Sequence, residues 1–135
     1  MTKKSTIYIF GNPLLEYDNL PILFKPALEE KFPDIEFIIQ DPNENLHPED
    51  KALTIIDTVE GIEKIEIITK IEQIQTAQTC SVHDFDLGMN LKLLQKLGML
   101  EKITIFGVPM DGDKNILLGE LIEKIYSSDN SVGIK

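Results

Sequence analysis

Two aspartates and one histidine stand where a chain of this kind can do chemistry. Asp18 closes the segment Gly11-Asn12-Pro13-Leu14-Leu15-Glu16-Tyr17-Asp18, Asp57 ends the apolar run Ala52–Asp57, and His83 lies in Ser81-Val82-His83-Asp84-Phe85-Asp86-Leu87, ahead of a helical pattern. In α/β domains, sites form in the loops beyond the C-terminal ends of strands. If the strands concerned are neighbours, these three loops converge on one rim of a sheet. One imidazole and two carboxylates then make a nitrogen/oxygen donor set suited to nickel, zinc or cobalt. Each residue also has an ordinary structural use. Asp57 can cap a turn, Asp18 can belong to a helix N-cap region, and His83 can be a surface or capping residue. His47, beside Pro48 in a polar stretch, reads as solvated, and Cys80 sits too near His83, in too apolar a context, for a Cys/His nucleophile pair. Gly11-Asn12-Pro13 lacks the Gly-Lys-Ser/Thr ending of a phosphate-cradling loop.

The elements that must hold these residues alternate between strand and helix. Thr6–Phe10 is nearly all apolar, as in a strand buried on both faces, and Gly11-Asn12-Pro13 ends it. A helix is expected from near Asn19 to Lys31, with Pro21 in its first turn and Pro26 kinking it or delaying its start. A second strand spans Ile35–Gln40, a polar loop Asp41–Asp50, and a buried strand Ala52–Asp57. Beyond Gly61, Lys64–Ile71 alternates apolar with polar residues as an edge strand does. Gln73 to Val82 is polar and turn-like, and Phe85, Leu87, Leu91, Leu94 and Leu97 suit an amphipathic helix that Gly98 terminates. Lys102–Val108 is the last strand and Ile116 to Ile125 the last helix, with Ser127–Lys135 expected to fray. The alternation predicts a layered α/β fold without repeat, low-complexity tract or linker, so residues 1–135 are expected to form one domain.

Composition narrows the partners. Apolar residues make up 42% of the 135 residues and charged residues 27%, a globular balance. The net charge of −10 argues against nucleic acid or an anionic membrane as partner, because both would repel the chain. A single cysteine excludes an internal disulfide and any multi-cysteine metal site. The first apolar run is far shorter than a signal peptide's or the roughly 20 residues of a membrane span, so a cytoplasmic location is expected.

The three segments resemble, in order and spacing, those of the endopeptidases that mature nickel–iron hydrogenases. Ile7-Tyr8-Ile9-Phe10-Gly11-Asn12-Pro13-Leu14-Leu15 with Asp18 is similar to that family's opening Gly-Asn-x-Leu-x-x-Asp-Asp/Glu signature. Thr54-Ile55-Ile56-Asp57-Thr58 resembles its strand ending in Asp-Ala, and His83-Asp84-Phe85-Asp86-Leu87 with Leu91 its His-x-Leu-x-Leu segment. Ile103-Thr104-Ile105-Phe106-Gly107-Val108 resembles the following strand, and the likeness spans roughly residues 5 to 125. It implies a three-layer α/β/α fold, phosphorylase/hydrolase-like, with a mostly parallel five-stranded sheet whose edge strand runs antiparallel. It implies removal of the C-terminal extension of a hydrogenase large-subunit precursor after nickel insertion. Asp18, Asp57 and His83 would contact the nickel, which arrives with the substrate, and no organic cofactor is implied. Asp18 and Asp57 are also the implied catalytic residues: a metal can polarise the scissile carbonyl, or a carboxylate can act as general base on water.

The chain departs from the family pattern at named positions. Tyr17 stands where a second acidic residue is usual, with Glu16 one place further back, and Pro21 stands where Gly is usual. Asp41-Pro42-Asn43-Glu44 replaces an Asp-Gly-Gly-Thr turn tied to substrate recognition, and Pro109-Met110-Asp111-Gly112-Asp113 replaces a longer segment. The rival readings are a non-catalytic nickel-binding assembly module, a magnesium-dependent phosphohydrolase or phosphoacceptor domain, and a soluble α/β domain with no site. The second needs a lysine or hydroxyl at a strand end, for which Lys102 and Thr104 are poorly placed, and oxygen-only ligands, which leaves His83 without a role.

Overall fold

The computed structural model describes residues 5–10, 20–40, 48, 50–59, 61–70 and 90–131, with side chains through residue 128. Its elements are β1 (Ser5–Ile9), α1 (Leu20–Lys31), β2 (Ile35–Ile39), β3 (Ala52–Thr58), β4 (Glu66–Ile68), α2 (residues 90–96), β5 (Lys102–Val108) and α3 (Lys114–Ser131). The strands form one sheet in the order β2-β1-β3-β5-β4. β1, β2, β3 and β5 are mutually parallel, and β4 pairs antiparallel with β5 at the edge. The α/β architecture and the antiparallel edge strand are those the sequence leads one to expect.

Adjacent residues of a strand face opposite sides of the sheet, and both sides here are apolar. Ile56 of β3 and Phe106 and Val108 of β5 join Ile7, Ile9, Phe37, α1 (Phe24, Leu28) and α3 (Leu117, Leu121, Ile125) in one core. Leu53 and Ile55 of β3 and Ile103 and Ile105 of β5 join Phe10, Leu91 and Leu100 in the other, on the α2 side. The β-branched runs of β3 and β5 are therefore buried on both faces, as strands in the middle of a parallel sheet must be.

Several boundaries differ from expectation for physical reasons. Pro26 does not delay α1, which runs from Leu20 and holds Pro26 on its exposed side. The edge strand shrinks to Glu66–Ile68: Ile65 is buried at 2% exposure, but Ile67 is 38% exposed, and among the described residues the strand has a ladder partner on one side only. α2 ends in a glycine cap, with Gly98 at φ +74°. The Met99 amide donates to the Leu94 carbonyl (2.9 Å) and the Gly98 amide to the Gln95 carbonyl (3.1 Å), the paired bonds of a Schellman motif. That cap turns Leu97 out to 62% exposure, and Leu100 enters the core in its place. α3 continues to Ser131, past the expected fraying point at Ser127, since neither Gly nor Pro interrupts Ser127–Ser131. The expected helical residues Phe85 and Leu87 and the loop residues 41–47 and 73–82 lie outside the described residues.

Candidate active site

Topology fixes where a site belongs. From β1 the chain goes through α1 to β2 on one side, whereas from β3 it moves to β4 and β5 on the other. The strand order therefore makes the C-terminal ends of β1 and β3 the switch point of the sheet, the place where open α/β sheets bind ligands in a crevice. β1 and β3 are in register at Tyr8↔Ile55 and Ile9↔Ile56. The Phe10 amide then donates to the Ile56 carbonyl at 2.9 Å, which sets Phe10 beside Asp57 at the mouth of the crevice.

Asp57 follows Leu53 and Ile55 in the alternation of β3, so its side chain leaves the sheet on the α2 side and is half-buried. Its Oδ1 accepts a hydrogen bond from the Thr58 backbone amide at 2.9 Å. That bond orients the carboxylate, which a metal ligand or a general base requires. Across the ladder Asp57 faces Gly107 of β5. A Cβ at Gly107 would lie 3.0 Å from Val59 Cγ2 and 3.4 Å from Ile62 Cδ1. The chain leaving β3 crosses tightly over β5 there, pinned by the Val59 amide to the Val108 carbonyl at 2.8 Å. Asp57 is thus set between buried Phe10 and an apolar crossing, a charged group in a largely hydrocarbon frame.

Two further polar features lie at this rim. Thr58 Oγ1 is buried and, among the described residues, has no hydrogen-bond partner. In the connection after β5, Asp113 caps α3: its Oδ1 accepts from the Asn115 amide (2.9 Å) and the Ile116 amide (3.1 Å). Asp111, two residues earlier, is exposed.

Of the three expected site residues, the structure sets Asp57 at the crevice. Asp18 and His83 lie outside the described residues, as do Asn12, Glu16, His47 and Cys80. Among the described residues no group of three His, Cys, Asp or Glu is arranged to hold a metal ion. Sequence reasoning passed over Thr58 and Gly107 as mere neighbours of more obvious residues. The signal for both was the register: a residue after a strand-terminal aspartate points into the opposite core, and a glycine inside an apolar strand marks a close approach. Lys102 pairs with Ala52 at the N-terminal end of β5. Five residues of strand, roughly 16 Å, separate that level from Asp57, so Lys102 cannot neutralise a phosphate there.

No protein-family model matches the sequence, and no curated protein matches it. The fold, in contrast, is shared with solved structures. The chain superposes on the hydrogenase maturating endopeptidase HybD from E. coli with a TM-score of 0.72 and 16% identity, over 96% of this chain and 94% of that one. It is similar to an endopeptidase from Escherichia coli solved in solution (TM-score 0.67, 16% identity, 96% of this chain and 95% of that one). It also matches an uncharacterized protein from Wolinella succinogenes (TM-score 0.59, 14% identity, 96% of this chain and 99% of that one). At these identities the likeness establishes the fold, nearly end to end.

Proposed function

We propose that this chain is an endopeptidase of the hydrogenase maturation type, which removes the C-terminal extension of a hydrogenase large-subunit precursor after nickel insertion. The observation that carries the reading is the oriented carboxylate of Asp57 at the β1/β3 crevice, in a sheet superposing over 96% of the chain on HybD. Asp18, at the end of the connection from β1, and His83 are the partners that the sequence resemblance gives Asp57. Together they would contact the nickel carried in by the substrate. The reaction is hydrolysis of one amide bond: water adds to the carbonyl carbon, the C–N bond breaks, and the proton goes to the departing amine. Asp57 and Asp18 would supply the negative charge that receives the proton from water, and with His83 would hold a nickel ion, whose chemistry when bound is Lewis-acid polarisation of a carbonyl. Nickel would then report that the precursor is loaded, and an empty precursor would stay uncut.

The test is mass spectrometry of a hydrogenase large-subunit precursor from the same organism, incubated with the protein with and without nickel loaded. The expected outcome is loss of a C-terminal peptide from the loaded precursor alone, abolished by His83→Ala. An intact loaded precursor sinks the reading and favours a nickel-binding assembly role. Full processing by His83→Ala removes that residue from the site.

A further inference from the structure

Gly107 lies inside an apolar strand whose backbone does not require a glycine. Gly61, Gly98 and Gly112 have positive φ, and Gly107 does not. What excludes a side chain at 107 is space: its Cβ would meet Val59 Cγ2 at 3.0 Å and Ile62 Cδ1 at 3.4 Å. The Ile62 methyl is the far end of a flexible side chain and can turn aside. Val59 is β-branched and stiff at χ1, so it can yield only with its backbone. That backbone is held on both sides. The Val59 amide donates to the Val108 carbonyl at 2.8 Å. Further along, Ile65 is buried and its amide donates to Glu120 Oε1 of α3 at 3.2 Å. A Cβ at 107 would therefore press Val59 back toward Thr58 and Asp57.

Asp57 and Gly107 are ladder partners, so side chains at the two positions stand on the same face of the sheet. The room beside Asp57 that a side chain at 107 would take is filled by Val59. Thr58 joins the two: its amide donates to Asp57 Oδ1 at 2.9 Å, and its carbonyl carbon is bonded to the nitrogen of Val59. We propose that Gly107 is a positioning residue for Asp57. By having no side chain it lets Val59 settle against β5, which keeps the Thr58 amide where it aims the carboxylate. The catalytic consequence rests on the endopeptidase reading. A displacement of about 1 Å at a reacting group can cost roughly 100-fold in rate. Gly107 itself touches no reacting atom.

Wild type, Gly107→Ala, Val59→Ala and the double variant are compared by precursor processing kinetics and by hydrogen exchange of the Thr58 amide. Exchange is read by NMR relative to the Ile105 amide in the core, which reports global opening. Gly107→Ala is expected to lower kcat about tenfold with KM within about twofold, because aim is lost and binding is not. Its Thr58 amide should exchange about tenfold faster relative to Ile105, as an amide freed from its acceptor does. Val59→Ala removes the obstructing methyl, so the double variant should return to within about twofold of Val59→Ala in both readouts. Wild-type kcat and Thr58 exchange in Gly107→Ala, with only a lower Tm, would reduce the glycine to packing and overturn the proposal. So would a double variant that stays impaired. If Gly107→Ala does not fold, the double variant decides alone, by matching Val59→Ala or failing to. A wild type that leaves the loaded precursor uncut sinks the endopeptidase reading, while Thr58 exchange still decides whether Gly107 positions Asp57.

Discussion

Asp57 combines two properties that separate a site residue from a cap. Its carboxylate is held by a neighbouring amide at 2.9 Å, and it stands at the one place in the sheet where the connections diverge. Replacing it by Asn keeps an oxygen able to accept the Thr58 amide but removes the charge. Asp57→Asn is therefore expected to leave the Tm within about 2 °C and to slow precursor processing by roughly 100-fold or more. Circular dichroism melts and cleavage kinetics measure the two sides. Near-wild-type cleavage would reduce Asp57 to a turn residue. The sequence made Asp57 visible because an apolar strand that ends in a carboxylate is a local pattern. Thr58 was hidden because its interest lies in what fails to contact it, and no local pattern encodes that.

Among the elements, α1 carries the clearest internal conflict. Pro26 has no amide proton, so the carbonyl of Ile22 loses its helical partner, yet Phe24 and Leu28 on either side are buried against the sheet. Tertiary packing has overridden propensity here, which is why a break was the natural expectation from sequence. Pro26 is exposed and makes no core contact to lose. Pro26→Ala is expected to raise stability by about 1 kcal/mol, the recovered helical bond outweighing the looser unfolded chain. Urea unfolding would show this as a higher midpoint at unchanged slope. A lower midpoint would mean that α1 needs the bend to seat its buried face. The strands were far more legible than this helix, for β3 and β5 are short, mostly apolar runs rich in β-branched residues. The edge strand was overdrawn because its alternation extends further than its only neighbour can pair.

At the level of the molecule, the sheet is the common wall of two cores, and β3 shows how closely they are joined. Ile55 and Ile56 are adjacent, each 0% exposed, and they project into opposite layers. Truncating either to Ala should cost about 2–5 kcal/mol through lost burial and the cavity left behind. Both variants are expected to lower one shared unfolding transition, monitored by far-ultraviolet circular dichroism and calorimetry. Separate transitions for the two layers would show that the cores melt independently. The order of the strands was not readable from the sequence, because it depends on pairings between residues tens of positions apart. It is this order that sets Asp57 at the switch point of the sheet.

The ladders of that sheet are unequal. β1 shares five paired positions with β2 and β3 shares seven with β5, but only Tyr8↔Ile55 and Ile9↔Ile56 join β1 to β3. The sheet is thus two leaves, β2-β1 and β3-β5-β4, stitched along a short seam and braced by α1 and α3 on one face and by α2 on the other. The switch point lies at the end of that same seam, where the rungs between the two leaves are fewest. A peptide lodged there would bridge the two leaves where the backbone itself provides fewest rungs. Occupation of that seam would then stiffen the whole sheet, and vacating it would return the two leaves to the looser state.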